Sequence, residues 1–167
     1  RDLFEQRLAN ATQLFTVSGS TGGTVVGDQG VRVHFPPSAF RTQAGGAVNG
    51  DVQIELIEVL DIGDMIRLNI TTVGNDNDTL RLLKSGGAVY VGASQGGQAL
   101  VLGPQGMSIV VPTPDADPAM GVFTANRAEG EDLVWNEEDS TSIDTTFVEL
   151  PNGTTAIGYL LQVDSLQ

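Results

Sequence analysis

The sequence predicts an all-β fold, an antiparallel β-sandwich preceded by a short N-terminal amphipathic helix. Three observations carry that reading. Glycines number 21 and charged residues make up only 17% of the chain, a balance that suits strands and turns better than long helices. Short runs of alternating apolar and polar residues recur, each bounded by Gly, Pro, Asn or Asp. Hydrophobic residues make up 40% of the 167, enough for the core of one domain.

The elements follow in order. Over residues 1–15, Leu3, Phe4, Arg7, Leu8, Ala11, Leu14 and Phe15 recur at three- and four-residue spacing, which predicts a helix packed on the sandwich. The expected organisation is a helical lead-in over 1–16 and a sandwich domain over 17–167. From Val17 the period changes. The segment SGSTGGTVVGDQG reads as turn, short strand and turn, and VRVHF alternates as a strand. Pro36 has no amide hydrogen, so that ladder ends near Phe35. VNGDVQIELIEVL is a long strand centred on Val52, Ile54, Leu56 and Ile57. MIRLNITTV, LLKSGGAVYVGAS, QALVLG and MSIVVPTP continue the pattern, followed by MGVFTA and DLVW, which ends at Trp135. TTFVEL and TAIGYLLQV flank Asn152-Gly153, a strong hairpin signal.

Composition removes several function classes. Against 21 acidic residues stand 8 basic ones, a net charge of −13, which argues against nucleic acid or an anionic membrane surface as partner. There is no cysteine, hence no disulfide, thiolate metal site or cysteine nucleophile. No apolar run approaches the roughly 20 residues of a membrane span, and no signal peptide is evident.

His34 is the only histidine, and Ser38 follows it across two prolines in VHFPPSAF. A serine nucleophile needs a base within reach and a group to orient that base, and neither is visible here. The stretch reads as a strand end and a corner, with Phe35 and Phe40 buried on either side. Acidic loops offer oxygen ligands. Asp61, Asp64, Asp76 and Asp78 are candidate calcium ligands if DIGDM and GNDNDTL meet at one end, although their spacing fits no EF-hand. The competing reading is solvated turns, in which Asp and Asn bond the local backbone. Asp115 and Asp117 belong to a similar loop. Glu55 and Glu58, three apart, fall on opposite faces of a regular strand, and neither shows the apolar setting that a catalytic acid needs. Glu137, Glu138 and Asp139 form a polar run after Trp135, which reads as core. Aromatic residues are only 5% of the chain, which weakens lectin and glycan-hydrolase readings. The glycine-rich pieces lack the Walker spacing and read as turns. Asn10, Asn69, Asn77 and Asn152 head N-x-Thr sequons.

The stretch GGTVVGDQGVRVHFPPSAF resembles the opening of the ZU-five-type β-sandwich found in netrin receptors, ankyrins and zonula occludens proteins. A closer resemblance is to Bacteroidetes envelope proteins that carry such a sandwich, through VNGDVQIELIEVLDIGDMI, LLKSGGAVYVGAS, MSIVVPTP, MGVFTANRAEGEDLVWN and YLLQVDSL. It covers roughly residues 15–166 as a string of short motifs. It implies a ZU-five-like domain of a longer, exported or envelope-located protein, because in that group the last strand runs on into a Trp-x-Asn-Cys-Asp-like segment. Short Asp-Thr and Asp-Ser motifs, such as Asp144-Thr145-Thr146, resemble the O-glycosylation motif of the same proteins. Some members of the wider family cleave themselves at His-Phe-Ser; here His34-Phe35 is followed by Pro36, which supplies no nucleophile. The function expected is therefore a non-enzymatic structural or interaction module. It would act on a protein partner or on neighbouring domains of the same chain, with no cofactor, in the periplasm or on the outer surface. The alternatives are a calcium-dependent adhesion or glycan-binding module and, third, a glycan hydrolase.

Overall fold

The computed structural model describes residues 2–68, 70, 73–76, 79–82, 87–125, 135–137 and 143–163. Helix α1 (Asp2–Ala11) leads into β1 (Gln13–Ser18), β2 (Gly23–Val26), β3 (Arg32–Phe35), β4 (Phe40–Arg41) and β5 (Asp51–Val59). Helix α2 (Ile62–Arg67) precedes β6 (Val73–Asp76), β7 (Thr79–Leu82), β8 (Ala88–Gln95), β9 (Gln98–Ala99) and β10 (Val101–Leu102). Then follow β11 (Met107–Thr113), β12 (Phe123–Thr124), β13 (Trp135–Glu137), β14 (Ile143–Glu149) and β15 (Thr155–Val163).

Two antiparallel sheets make the sandwich, a four-stranded one in the order β1-β5-β8-β9 and a five-stranded one in the order β14-β15-β11-β3-β2. A small pair, β10-β4, and a sheet in the order β12-β13-β6-β7 flank them. Among the described residues, β13 and β6 are the one parallel pair. The fold class that the alternation predicts is the one observed.

The core follows the two-residue period of a strand. Val52, Ile54 and Leu56 of β5, with Val91 and Ala93 of β8 and Val17 of β1, form one cluster with Val33, Phe35, Met107, Ile109 and Val111 of the other sheet. Strand β11 alternates along its whole length between buried and half-buried side chains. Phe35 and Phe40 are fully buried, with ring centroids 4.9 Å apart. Each such side chain contributes about 1.5–3 kcal/mol by leaving water.

Beyond Leu56, β5 is buried on both faces. Its outward Ile57 and Val59 pack with Met65 and Leu68, and Leu8 and Ala11 of α1 close that second cluster. The helices thus cover one end of the outer face of the four-stranded sheet.

Two elements differ from the sequence-based expectation. The first helix ends at Ala11, not at residue 15. Thr12 closes it: its amide bonds the Leu8 and Ala9 carbonyls, and its hydroxyl donates to the Leu8 carbonyl at 2.8 Å. Gln13–Ser18 instead pairs residue for residue with Leu56–Asp51. The pair Leu14-Phe15 fits both periods, and the ladder with β5 decides; Leu14 points to solvent at 60% exposure. The second difference lies in MIRLNITTV, expected as a strand. Its first residues belong to α2, because Asp61 caps the helix by accepting from the Asp64 amide.

One buried polar group joins the sheets. Glu58 lies on the core face of β5, in register with Leu56, and is only 4% exposed. Its carboxylate accepts from the Gln13 side chain and from the Gln29 and Val31 amides, each at 2.9 Å. Both amides belong to the turn joining β2 and β3, in the opposite sheet. A methyl group on Gly27 would collide with this carboxylate, so the turn needs glycine there. Truncating Glu58 would leave the buried Val31 amide and the partly buried Gln29 amide without acceptors, a loss of about 1–3 kcal/mol for the buried one and less for the other. Glu58→Ala is expected to lower the melting temperature by roughly 10 °C. Glu58→Gln, which turns one acceptor into a donor, should recover only part of that loss in the same thermal melt.

Candidate functional site

The corner VHFPPSAF is structural. His34 is exposed, and its Nδ1 shares a 2.9 Å hydrogen bond with Thr24 Oγ1 on the neighbouring strand, where the two residues are register partners. After Phe35 the chain turns through the two prolines. Ser38, at φ 58°, is the one non-glycine residue with positive φ among those described. That conformation costs about 1–2 kcal/mol. It is held by the Ser38 amide donating to the Ser20 carbonyl at 3.1 Å and by Arg41 Nη1 donating to the Ser38 carbonyl at 2.8 Å. Phe35 and Phe40 are buried on either side of the corner, as expected.

Glu55 and Glu58 do face opposite sides of β5. The sequence reading missed that Glu58 is buried. The signal was available: Val52, Ile54, Leu56 and Glu58 share one face, so the fourth must enter the core. With its carboxylate occupied by three donors, Glu58 serves the fold.

Of the candidate calcium ligands, Asp61 caps α2 by accepting from the Asp64 amide at 2.8 Å. Asp64 forms a salt bridge with Arg67 and accepts from Gln29 Nε2 at 3.3 Å. Asp76 ends β6, and Asp78 lies outside the described residues. Among the described residues no three His, Asp or Glu side chains gather as a metal site. In the 115–119 loop, Asp117 Oδ1 accepts from the Ala119 amide at 2.9 Å, while the Asp117 amide donates to Tyr159 Oη at 2.6 Å. The first is a local turn bond, and the second ties the loop to β15. Of the sequons, Asn10 is exposed on α1, and Asn152 Oδ1 accepts from Thr154 in the β14–β15 hairpin. Asn69 and Asn77, the turn residues Lys84–Gly86, and Leu133 and Val134 lie outside the described residues. Trp135, expected in the core, is half-buried on β13.

The open half of the outer face of the four-stranded sheet presents a different surface. Its rows are set by register. Leu14 pairs with Glu55, Thr16 with Gln53 and Ser18 with Asp51; Glu55 in turn pairs with Gly92, and Gln53 with Ser94. Tyr90 lies back along its strand over Gly92, where an added methyl group would sit 2.9 Å from Tyr90 Oη. Tyr90 keeps 41% exposure. Partial burial raises its pKa above 10.0, and the nearby Glu55 carboxylate raises it further. Beside it, Leu14, Thr16, Asp51, Gln53, Ser94 and Gln95 line an open basin of about 330 Å³. Gln95 is fixed by donating to the Asn49 and Asp51 carbonyls at 2.7 and 3.1 Å. Gly96, which also lines the basin, and Gly97, both at positive φ, make the tight β8–β9 turn.

No family model, curated protein or solved structure matches this chain.

Two outcomes follow from this geometry. Asp61→Ala is expected to cost about 1 kcal/mol, the loss of a helix cap, and to cost the same in EDTA as in millimolar calcium when both are measured by chemical unfolding. A raised folded pKa at Tyr90 means that the folded state holds the phenolic proton more tightly. Stability should therefore fall as pH rises above 10.0, through the folded pKa. Ultraviolet titration, with Tyr90→Phe as the difference, should show Glu55→Gln moving that pKa down only partly, because burial is the larger cause.

Proposed function

We propose that this domain is a non-enzymatic interaction module of an exported or cell-envelope protein, acting through protein–protein or interdomain contacts. The observation that carries the reading is at the β14 edge of the five-stranded sheet, where no other described strand pairs. Strand β14 is an edge strand, and its Phe147 is 78% exposed. Phe147 pairs with Ile157, itself 39% exposed, and Ile157 pairs with Thr113 of β11. Cross-strand partners share a face, so Phe147 and Ile157 extend the row of β11's core-facing residues out to the edge. An aromatic anchor beside an aliphatic one on a sheet edge is the chemistry of a protein contact. Asp144 and Glu149, both exposed on the same strand, supply the charges that discourage indiscriminate edge pairing.

The non-enzymatic part is supported by how the candidate catalytic groups are used: Glu58 binds the β2–β3 turn, and His34 binds Thr24. The envelope part, and the ZU-five-like lineage, rest on the motif resemblance and on the sequons.

A photoreactive phenylalanine analogue at position 147 is expected to give a discrete crosslinked species, or a crosslink to a neighbouring domain, in cells that make the full-length protein. The same analogue at Gln43, on an exposed loop, should give none. Equal or absent crosslinking at the two positions would remove this reading. Phe147→Ser should change the stability of the isolated domain by less than about 0.5 kcal/mol, because the side chain is already in water.

A further inference from the structure

We propose that the open half of the outer face of the four-stranded sheet is a binding site for a neutral glycan, with the ring of Tyr90 as its stacking platform and Gln53, Glu55 and Ser94 as its hydroxyl-reading groups. The site lies on the sheet opposite Phe147, so it stands apart from the contact proposed above.

Three features point to a sugar. The first is Tyr90. Because Gly92 has no side chain, the ring lies along the strand instead of standing off the sheet, and it remains 41% exposed. A partly exposed tyrosine ring lying back along its strand can offer its electron-rich face to the C–H groups on one side of a pyranose, a contact that needs no charge. Glycine at 92 is what allows that posture.

The second feature is the chemistry around the ring. A sugar bound by one face shows a rim of hydroxyls, each able to donate and to accept. Glu55 is next to Gly92 in register and close enough to Tyr90 to perturb its titration; its carboxylate accepts only. Gln53 and Ser94, paired across β5 and β8, both donate and accept. Leu14, at 60% exposure, adds an apolar wall for ring carbons. The basin of about 330 Å³ is at the small end of the roughly 300–1,000 Å³ typical of ligand pockets, and it is open rather than enclosed. An open trough suits residues within a longer chain better than a small molecule that must be surrounded.

The third feature is charge. The basin is lined by Asp51 and, among the described residues, by no Lys or Arg; Glu55 stands beside it, and the chain carries −13 overall. Phosphorylated, sulfated and uronic-acid glycans would be repelled. A neutral polymer is the occupant that fits.

Affinity electrophoresis tests this directly. The domain is run through native gels cast with mixed-linkage β-glucan, xyloglucan, galactomannan or amylopectin, and with polygalacturonate as the anionic polymer. Retardation by at least one neutral polymer is expected. Tyr90→Ala should weaken that binding about tenfold or more, and Tyr90→Phe should largely keep it. Phe147→Ser should leave it intact, which separates this site from the protein contact. No retardation by any of the four neutral polymers would overturn the proposal, as would retardation that Tyr90→Ala leaves unchanged or that is strongest with polygalacturonate. If Tyr90→Ala lowers the melting temperature by more than a few degrees, Leu14→Ala and Gln53→Ala, on the same surface, take its place under the same criteria.

Discussion

The two sheets are held in register by a carboxylate as much as by their apolar core. Hydrophobic packing is non-directional and tolerates sliding of one sheet over the other. The bonds from the Gln29 and Val31 amides to Glu58 do not, because they fix the β2–β3 turn at one point on β5. Burying a carboxylate is costly, and only a full set of donors offsets that cost. Gln13 supplies the third donor, and its own Oε1 accepts from the Asp28 amide in the same turn. Gln29 extends the network through its side chain to the Glu58 carbonyl at 3.4 Å and to Asp64 at 3.3 Å. Strand β1, the β2–β3 turn, β5 and the first turn of α2 are therefore tied by one set of bonds. That network is where the helical cover of the outer face meets the sandwich.

Much of this architecture is legible in the sequence where one period dominates. In MSIVVPT, Met107, Ile109 and Val111 are apolar at every second position, and β11 is buried at these and at Thr113. Asn152-Gly153 announces the β14–β15 hairpin, and Pro36 ends β3 where the missing amide requires it. Legibility fails where a short segment satisfies two periods or where burial comes from elsewhere in the chain. Helix α2 has six residues; Met65 is buried, whereas Ile62 and Ile66 are 76% and 75% exposed. Apolar residues on both sides of so short an element erase its periodicity, and the cap at Asp61 is then easily mistaken for an ion ligand. Glu58 fails differently. Its inward position is readable from Val52, Ile54 and Leu56, but the amides it meets come from a turn about thirty residues earlier, and no local pattern reveals them.

The surface divides along the same lines. The outer face of β5 is apolar at Ile57 and Val59, where the helices lie, and polar from Asp51 to Glu55, where nothing among the described residues covers it. That switch within one strand separates a buried half-face from an open one. The open half has the properties of a surface kept ready rather than merely solvated. Gln95 is anchored by two backbone carbonyls, and Tyr90 is laid down over a glycine. Fixing these side chains in advance spares a ligand the ordering cost of about 0.5–1.5 kcal/mol for each rotamer-rich group.

The described strands are paired into sheets, and the side chains on a sheet's face and edge are set by that pairing. Sheet faces and edges serve recognition in different ways. A face displays side chains at the fixed two-residue spacing of its strands, which suits a ligand with its own repeat. An edge displays backbone as well as side chains, which suits another protein. This fold keeps the two apart: Tyr90 lies on the face of one sheet and Phe147 on the edge of the other. A partner held at the β14 edge therefore has no steric reason to displace what lies on β5 and β8.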